Sequence, residues 1–208
     1  MWKRKKNKGH FITIEGGEGA GKSTLIQALS RHLLDRGEST CVTHAPGGTP
    51  LGQSIRDLLL NPRWGGLHPL TELHLFLADR SQQTHEVILP ALARGDWVLC
   101  DRFHDSTIAY QGVRDPESLP HVKELCHRAS QGILPDLTLI IDIDPEVGLA
   151  RGGRLDRVEK QSIEFHHKVR EVYRHLAKGK DRQYLLLDGN QSADSLLKDA
   201  IRALNDVR

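Results

Sequence analysis

The chain carries a glycine-rich stretch close to its start, Gly16-Gly17-Glu18-Gly19-Ala20-Gly21-Lys22-Ser23. It matches the pattern G-x-x-x-x-G-K-[ST], in which a glycine backbone wraps phosphate groups and points its N–H groups at them. Lys22 would place a positive charge beside the β- and γ-phosphates, and Ser23 would offer a hydroxyl to Mg²⁺. We call residues 16–23 the phosphate loop and predict that, with Thr24 after it, it binds nucleotide phosphates.

The segments on either side of the phosphate loop fit this interpretation. Phe11–Ile14 is short, apolar and β-branched, which predicts a strand. From Lys22 to Arg36 apolar residues recur at helical spacing, which predicts a helix with its N-terminus at the loop. The alternative is a glycine-rich turn that matches by chance, and such a turn seldom has both flanks correct.

Apolar, β-branched runs alternate with helical stretches along the chain. The predicted strands are Phe11–Ile14, Thr40–Thr43, Trp97–Cys100, Leu137–Ile143 and Tyr184–Leu187. The predicted helices are Lys22–Arg36, Leu51–Leu60, Leu70–Leu92, Pro120–Ser130, Ile163–Ala177 and Ala193–Leu204. We therefore predict an α/β fold with a five-stranded parallel sheet flanked by helices, and a ligand at the carboxyl ends of the strands.

Length and composition predict one intracellular domain. The chain has 208 residues and a formal net charge of +2. A net charge this small predicts no overall electrostatic attraction for a polyanion such as a nucleic acid. Its cysteines are widely spaced, and it has neither a signal-peptide core nor an apolar run of about 18 residues, so we expect a cytoplasmic protein without a membrane segment. The basic run Lys3-Arg4-Lys5-Lys6 predicts a disordered arm over residues 1–9, with a nucleic-acid- or membrane-binding arm as the alternative.

Two predicted strands end in a carboxylate that could hold Mg²⁺. Asp101 follows Trp97–Cys100, and Asp142 follows Leu139-Ile140-Ile141. Asp101 is favoured because Arg102 comes next, so a metal ligand and a phosphate-binding cation would stand side by side. The alternative for Arg102 is a structural ion pair with a neighbouring carboxylate.

Further motifs occur in a fixed order beyond the phosphate loop. They are Ile14-Glu15 leading into the loop, Pro46-Gly47-Gly48-Thr49, Phe76-Leu77-Ala78-Asp79-Arg80, Asp101-Arg102-Phe103-His104-Asp105-Ser106-Thr107, Ala109-Tyr110-Gln111-Gly112 and Leu155-Asp156-Arg157-Val158-Glu159. Together they resemble bacterial thymidylate kinases over essentially the whole chain. The ordered set is far more specific than the phosphate loop alone.

This resemblance implies a fold, a reaction and an assembly. The fold is the three-layer nucleoside-monophosphate-kinase form of the P-loop sheet, as a single kinase domain over residues 10–208 with a short arginine-bearing lid at about 150–160. The reaction moves the γ-phosphoryl of ATP, with Mg²⁺, to dTMP, giving dTDP and ADP. The assembly is a homodimer, with no nucleic-acid or membrane partner.

Residue by residue, the resemblance also implies an acceptor site. Phe76 and Arg80 would meet thymine, and their i, i+4 spacing independently puts a stacking ring and a guanidinium on one helix face. The other dTMP-binding residues would be Ser106 and Thr107 beside the base, Tyr110 beside the deoxyribose, Gln111, Glu18 near the 3′-hydroxyl, and Arg102 with Arg56 on the phosphate. The alternatives are core packing for Phe76 and Tyr110, a surface charge for Arg80 and a solvated loop carboxylate for Glu18.

The lid is expected to supply a catalytic arginine, because the phosphate loop contains none. The resemblance is therefore to the subset of the family whose arginine comes from the lid. Arg151, Arg154 and Arg157 are the candidates, with Gly152-Gly153 as a hinge, and they join Lys22 and Arg102 as predicted catalytic residues. The alternative is a solvated, charged loop.

The chain departs from the family pattern immediately before Pro46. The family usually has Arg-Glu there, and this chain has His44-Ala45. An imidazole is only partly charged at neutral pH. Either His44 replaces the phosphate-binding arginine with weaker acceptor affinity, or it faces away and Arg102 binds the phosphate alone.

Three other functions are open to a chain with this loop. One is a kinase for another nucleoside monophosphate or a deoxynucleoside, against which Phe76, Arg80 and Tyr110 argue. Another is a GTPase-like switch, but the Asn/Thr-Lys-x-Asp motif that reads guanine is absent from the sequence. The last is nucleic-acid binding through the basic arm, which would be salt-dependent.

Overall fold

Five apolar runs of the chain form the strands of a parallel sheet. This computed structural model describes residues 9–64, 66–114, 119–151, 156–179 and 183–207. The strands are β1 (Phe11–Gly16), β2 (Thr40–His44), β3 (Trp97–Asp101), β4 (Leu137–Asp142) and β5 (Tyr184–Asp188). Their order is β2-β3-β1-β4-β5, and every neighbouring pair is parallel. The α/β class and the five-stranded parallel sheet are confirmed.

Helices follow the strands along the chain. They are α1 (Lys22–Asp35), α2 (Pro50–Leu60), α3 (Pro69–Gln83), α4 (Leu89–Arg94), α5 (His104–Gly112), α6 (Leu119–Ala129), α7 (Pro145–Arg151), α8 (Ile163–Ala177) and α9 (Ala193–Asp206). A 3₁₀ turn lies at Pro62–Trp64 and a π-helical turn at Thr84–Ile88. Among the described residues, no helix combines the length and the apolar character needed to cross a membrane.

Both faces of the three central strands, β1, β3 and β4, are buried. On one face, Ile12 and Ile14 of β1 pack in a cluster that includes residues of α1 and α9. On the other face, Phe11 packs with Phe103 and with Ala91 of α4. Burial on both faces explains why these central strands are nearly continuous apolar runs, whereas the edge strands β2 and β5 are only partly buried.

Helices α5 and α7 were absent from the sequence prediction. Every residue of His104–Gly112 is buried, so α5 has no polar face and no amphipathic period to detect. Helix α7 has only 7 residues. The predicted single helix Leu70–Leu92 is divided by the π-helical turn, in which the Leu89 N–H donates to Thr84 O. Pro90 follows directly and has no N–H to continue an α-helical ladder.

Two glycines bring α7 against the phosphate loop. A Cβ on Gly19 would lie 1.9 Å from Gly148 O, and a Cβ on Gly148 would lie 2.3 Å from Glu18 O. Only residues without a Cβ allow this backbone contact. The contact sets the C-terminal residue of α7, Arg151, at the edge of the phosphate-loop region.

Candidate active site

The phosphate loop joins β1 to α1. Gly16, Gly19 and Gly21 have φ angles of 137°, 62° and 95°, which favour glycine. Lys22 is 8% exposed and folds back over the loop, where its Nζ donates to Gly17 O at 2.7 Å and Gly16 O at 3.2 Å. Burial lowers the pKa of Lys22. The loop therefore holds a buried cation whose charge a phosphate chain would stabilise.

The structure separates the two candidate metal carboxylates. Ser23 Oγ donates to Asp101 Oδ2 at 3.3 Å, while Asp101 Oδ1 is buried without a hydrogen-bond partner among the described residues. Asp142 instead binds two guanidinium groups, with Arg170 Nε at 2.6 Å and Arg174 Nε at 3.0 Å. Asp101 is thus the carboxylate with an oxygen available beside the phosphate loop.

Ser23 and Asp101 fit Mg²⁺ by their chemistry, because hydroxyl and carboxylate oxygens are its preferred protein ligands. In the part of the chain that the structure describes, no three His, Cys, Asp or Glu side chains cluster as metal ligands. A divalent cation held here would take its remaining ligands from phosphate oxygens and water. That arrangement is usual for Mg²⁺ at nucleotide sites.

Arg102 is the centre of a polar cluster where β3 ends. Its φ angle of 69° is uncommon outside glycine, and strained backbone of this kind concentrates at functional sites. Its Nη2 donates to Glu18 Oε1 at 2.7 Å, and its Nη1 donates to Ser106 Oγ at 3.2 Å and to Tyr173 OH at 3.4 Å. The guanidinium carbon lies 5.0 Å from the centre of the Tyr110 ring.

The ionisation states in this cluster support one another. Burial alone would raise the pKa of Glu18, but Arg102 and Lys22 lower it, with a net value of about 2. Tyr110 OH donates to Glu18 Oε1 at 3.0 Å, and burial raises the pKa of Tyr110. At neutral pH Glu18 is therefore an anion and Tyr110 a neutral hydrogen-bond donor.

Two buried residues that the sequence analysis missed hold Ser106. Glu15 is 0% exposed and accepts hydrogen bonds from Phe103 N at 2.7 Å, from Ser106 Oγ and from Tyr173 OH at 3.1 Å. Burial raises the pKa of Glu15. Glu15 belongs to the Ile14-Glu15 motif that leads into the phosphate loop, so the sequence did mark its position. Tyr173 lies on the buried face of α8, where its spacing is that of an ordinary core residue.

An inner cleft brings the predicted acceptor residues together. The space between its walls, open solvent included, is about 650 Å³. Its lining includes every residue predicted to contact dTMP, namely Glu18, Arg56, Phe76, Arg80, Arg102, Ser106, Thr107, Tyr110 and Gln111. These residues come from α2, α3, α5 and two loops, so their convergence depends on the tertiary fold.

Arg80 is a buried side chain, so the surface-charge alternative is excluded. It is 2% exposed, donates from Nη2 to Phe103 O at 2.9 Å and lies 4.4 Å from the centre of the Phe103 ring. Its Nε and Nη1 have no hydrogen-bond partner among the described residues. Buried donors are nearly always paired. Arg80 and half-buried Phe76 both line the inner cleft, so a guanidinium and an aromatic ring lie together in the wall of one site.

A wider outer groove of about 1590 Å³ runs along the phosphate loop. Its lining includes residues 18–24, His44, Arg56, Asp101, Arg102 and Arg151. Glu18, Arg56 and Arg102 line both the inner cleft and the outer groove, so the two spaces meet at these side chains. The arrangement can hold two ligands with their charged ends facing one another.

The three lid arginines have different positions. Arg151 lines the outer groove, with its Nη1 3.4 Å from Gly189 O. Arg154 lies outside the described residues. Arg157 is 3% exposed, donates from Nε to Leu59 O at 2.8 Å and forms an ion pair with buried Glu72. We therefore correct the prediction for Arg157, because its guanidinium is buried against Leu59 and Glu72, and Arg157 does not line the outer groove.

His44 and Arg56 lie near one another at the end of β2. His44 is exposed, pairs in register with Asp101 and lines the outer groove but not the inner cleft. Arg56 of α2 donates from Nη1 to Pro46 O at 2.9 Å and lines both spaces. Arg56 is thus better placed than His44 to contact a ligand in the inner cleft.

Known proteins resemble the chain over nearly its full length. A family model described as thymidylate kinase matches residues 14–200. The thymidylate kinase of Chlamydia felis is 43% identical over 202 residues, which cover 95% of this chain and 98% of the relative. The thymidylate kinase of Carboxydothermus hydrogenoformans is 43% identical over 204 residues, covering 95% and 99%. That of Deinococcus radiodurans is 40% identical over 203 residues, covering 96% and 98%.

Proposed function

Because this chain belongs to the thymidylate kinase family, we propose that its inner cleft binds dTMP and its outer groove binds ATP. The chain is an ATP-dependent kinase. Its reaction is the transfer of the γ-phosphoryl of ATP to dTMP, giving dTDP and ADP.

The observation that carries this assignment of the two spaces is their junction. Glu18, Arg56 and Arg102 line both, and the phosphate loop lies on the outer side. A donor with its phosphates on the loop and an acceptor with its phosphate on Arg102 would meet there. Phosphoryl transfer is catalysed mainly by such positioning and by cations around the migrating group.

In the proposed acceptor site, Phe76 stacks on thymine and the Arg80 guanidinium donates to it. Ser106, Thr107 and Gln111 complete the wall around the base and sugar. Tyr110, held by Glu18 at 3.0 Å, lies beside the deoxyribose and excludes a 2′-hydroxyl. Arg102 and Arg56 bind the acceptor phosphate, and the Glu18 carboxylate orients Arg102 and lies near the sugar 3′-hydroxyl.

In the proposed donor site, residues 16–24 bind the ATP phosphates through backbone N–H groups and the Lys22 ammonium. Lys22 leaves the Gly16 and Gly17 carbonyls to do so. Ser23 and Asp101 would hold Mg²⁺, which supplies charge neutralisation for the phosphates. Arg151 at the edge of the outer groove is the described lid residue that could add a cation near the migrating group.

The function is tested by the rate of ADP release with ATP, Mg²⁺ and each of dTMP, dUMP, UMP, dCMP and AMP. We expect dTMP to give the highest kcat/KM and UMP to react poorly because of Tyr110. A Lys22→Ala preparation purified in parallel shows the contribution of any contaminating kinase. Equal rates with several monophosphates, or a preference for a purine acceptor, would contradict the proposed base and sugar contacts.

We also propose one kinase domain over residues 10–208, a cytoplasmic location and a homodimer. Exposed apolar side chains support the dimer, with Leu51, Leu58 and Leu70 of α2 and α3 exposed by 52%, 45% and 55%. Light scattering should give twice the 23.3 kDa chain mass. Leu58→Asp should convert the dimer to a monomer, whereas the same change at exposed Leu186 of β5 should not. A monomeric wild type would refute the dimer.

A further inference from the structure

Two side chains hold opposite ends of one peptide group at the entrance to the acceptor site. The N–H of Gly47 donates to Asp79 Oδ1 at 2.9 Å. The carbonyl of the same peptide, Pro46 O, accepts from Arg56 Nη1 at 2.9 Å. Because a peptide group is planar and rigid, fixing the direction of its N–H also fixes the direction of its carbonyl. Asp79 therefore determines where Arg56 finds its acceptor.

A fully buried carboxyl group such as that of Asp79 is an unusual choice for a hydrogen bond that serves only to stabilise the fold. It is 0% exposed, and its Oδ2 has no hydrogen-bond partner among the described residues. Burial raises its pKa, while the Gly47 N–H and the charge of Arg80 oppose that rise. A buried carboxyl group with one unpaired oxygen is costly. An apolar side chain would avoid that cost if the position served only to fill space.

The backbone around this peptide is closely packed, so a side chain larger than that of glycine would not fit at Gly47 or Gly52. Gly47 has a φ angle of 113°, and a Cβ there would lie 3.0 Å from both Arg56 Cδ and His44 Nε2. A Cβ on Gly52, in the first turn of α2, would lie 2.4 Å from Asp79 Oδ1. The Asp79 carboxyl group thus packs between the turn at Gly47 and α2, the helix that carries Arg56.

Asp79 also precedes Arg80 on α3, so the two ends of the acceptor site share this helix. Arg80 faces the part of the inner cleft proposed for the base, and Arg56 lines the part where the cleft meets the outer groove. The separation between a base contact and a phosphate contact is then set through α3, Asp79 and a single peptide group.

We propose that Asp79 is a positioning residue for the acceptor phosphate, acting through the Pro46–Gly47 peptide to hold Arg56 in the site. This inference rests on the proposed role of Arg56 as a phosphate ligand. It adds to that role a defined chain of contacts from Asp79 to Arg56. Asp79 itself does not contact the reacting atoms.

The test is a double-mutant cycle of Asp79→Ala and Arg56→Ala, read by kcat, by KM for dTMP and ATP, and by Tm. We expect each single variant to raise KM for dTMP about tenfold, the scale of one lost hydrogen bond to a charged group, with KM for ATP unchanged. The double variant should be no worse than Arg56→Ala alone, because residues in one chain of contacts are not additive. Asp57→Ala, at an exposed residue next to Arg56, is the control and should leave KM unchanged.

A second variant keeps the test decisive if Asp79→Ala folds poorly. Asp79→Asn retains an oxygen that can accept from Gly47 N, so it should keep KM for dTMP within about threefold of wild type. Multiplicative effects in the double variant, or equal rises in KM for both substrates, would overturn the proposal. Arg56→Ala with a wild-type KM for dTMP would overturn the role of Arg56 and this inference together, whereas the acceptor panel tests the overall function separately.

Discussion

Arg102 Nη2 lies 2.7 Å from Glu18 Oε1, so a strand-end arginine and a phosphate-loop carboxylate are paired where the inner cleft meets the outer groove. Each is largely buried, with side-chain exposures of 16% and 21%. The pair gives the junction one fixed cation and one fixed anion. Either charge left alone there would be costly, because a partly buried ion pair is damaged most when one partner is removed.

This pairing predicts a pH dependence of stability. The pKa of Glu18 is lowered from 4.5 to about 2 in the folded protein. A depressed carboxyl pKa stabilises the fold at pH values above the unfolded pKa, and that contribution is lost as the pH falls toward the folded pKa. It amounts to roughly 2–3 kcal/mol at most. The stability difference between wild type and Glu18→Gln should therefore shrink between pH 5 and pH 2.5, as measured by urea unfolding.

An exposed acid supplies the control for this comparison. Glu124 is 58% exposed in its pair with Arg128, so Glu124→Gln should show no such pH-dependent difference from wild type. If the stability curves of wild type and Glu18→Gln stay parallel over the whole range, Glu18 does not have the depressed pKa.

Lys22→Ala should abolish most activity while the fold persists. Among the described residues, the Lys22 ammonium donates to the loop carbonyls of Gly16 and Gly17, and its charge is needed where phosphate charge develops. We expect kcat to fall by about 10²–10³, the usual effect of removing one such group. Lys198→Ala, at an exposed position of α9, is the matched control. A folded Lys22→Ala enzyme with near-normal kcat would remove the loop from the catalytic site.

Arg102→Ala should damage catalysis more than Arg56→Ala. Arg102 contacts Glu18, Ser106 and Tyr173, whereas the hydrogen bond found for Arg56 goes to a backbone carbonyl. We expect a loss of about 2–4 kcal/mol in kcat/KM for Arg102→Ala and about tenfold in KM for Arg56→Ala. Steady-state kinetics with dTMP varied measures both. Small, equal effects would place the acceptor phosphate elsewhere.

Sequence patterns predicted the parts of this molecule that depend on local chemistry. The phosphate loop is set by its glycines, and the central strands β1, β3 and β4 are set by apolar runs that are buried on both faces. Helix α5 was missed because burial of all its residues removes the periodic signal. Tyr173 was missed because its contacts with Glu15 and Arg102 come from distant parts of the chain.

The motif that contains Arg157 did not reveal the function of this side chain, because that depends on tertiary contacts. Its partner Glu72 is 85 positions away in the sequence, and nothing near Arg157 indicates that the two are buried together. The cluster of lid arginines suggested phosphate binding for all its members. Tertiary packing instead buries Arg157 against Glu72, a residue of the inner-cleft lining to which Gln111 Nε2 also donates at 2.8 Å.

Arg151→Ala should therefore lower kcat without lowering stability, whereas Arg157→Ala should mainly lower stability. Arg151 is exposed at the outer groove, so its loss should lower kcat without changing Tm or KM for dTMP. Arg157→Ala removes the shorter of the two ion pairs of buried Glu72, which keeps Gln111 and, at 3.5 Å, Arg114 Nε, and it should lower stability by about 3 kcal/mol. Kinetics and thermal unfolding of both variants decide this. An Arg157→Ala protein of wild-type stability but low kcat would restore Arg157 as the catalytic arginine.

His44→Arg should tighten dTMP binding. His44 ends β2 opposite Asp101, lines the outer groove and lies close to Gly47. A guanidinium there is always charged and can donate two parallel hydrogen bonds to a phosphate. An added cation near a phosphate should lower Kd for dTMP by about 3–10-fold, the scale of one partly exposed charge pair. Calorimetric titration of dTMP measures this, with His175→Arg on the exposed side of α8 as the control. If His44→Ala and His44→Arg both bind dTMP like the wild type, residue 44 does not contact the acceptor and Arg102 with Arg56 binds its phosphate without help from β2.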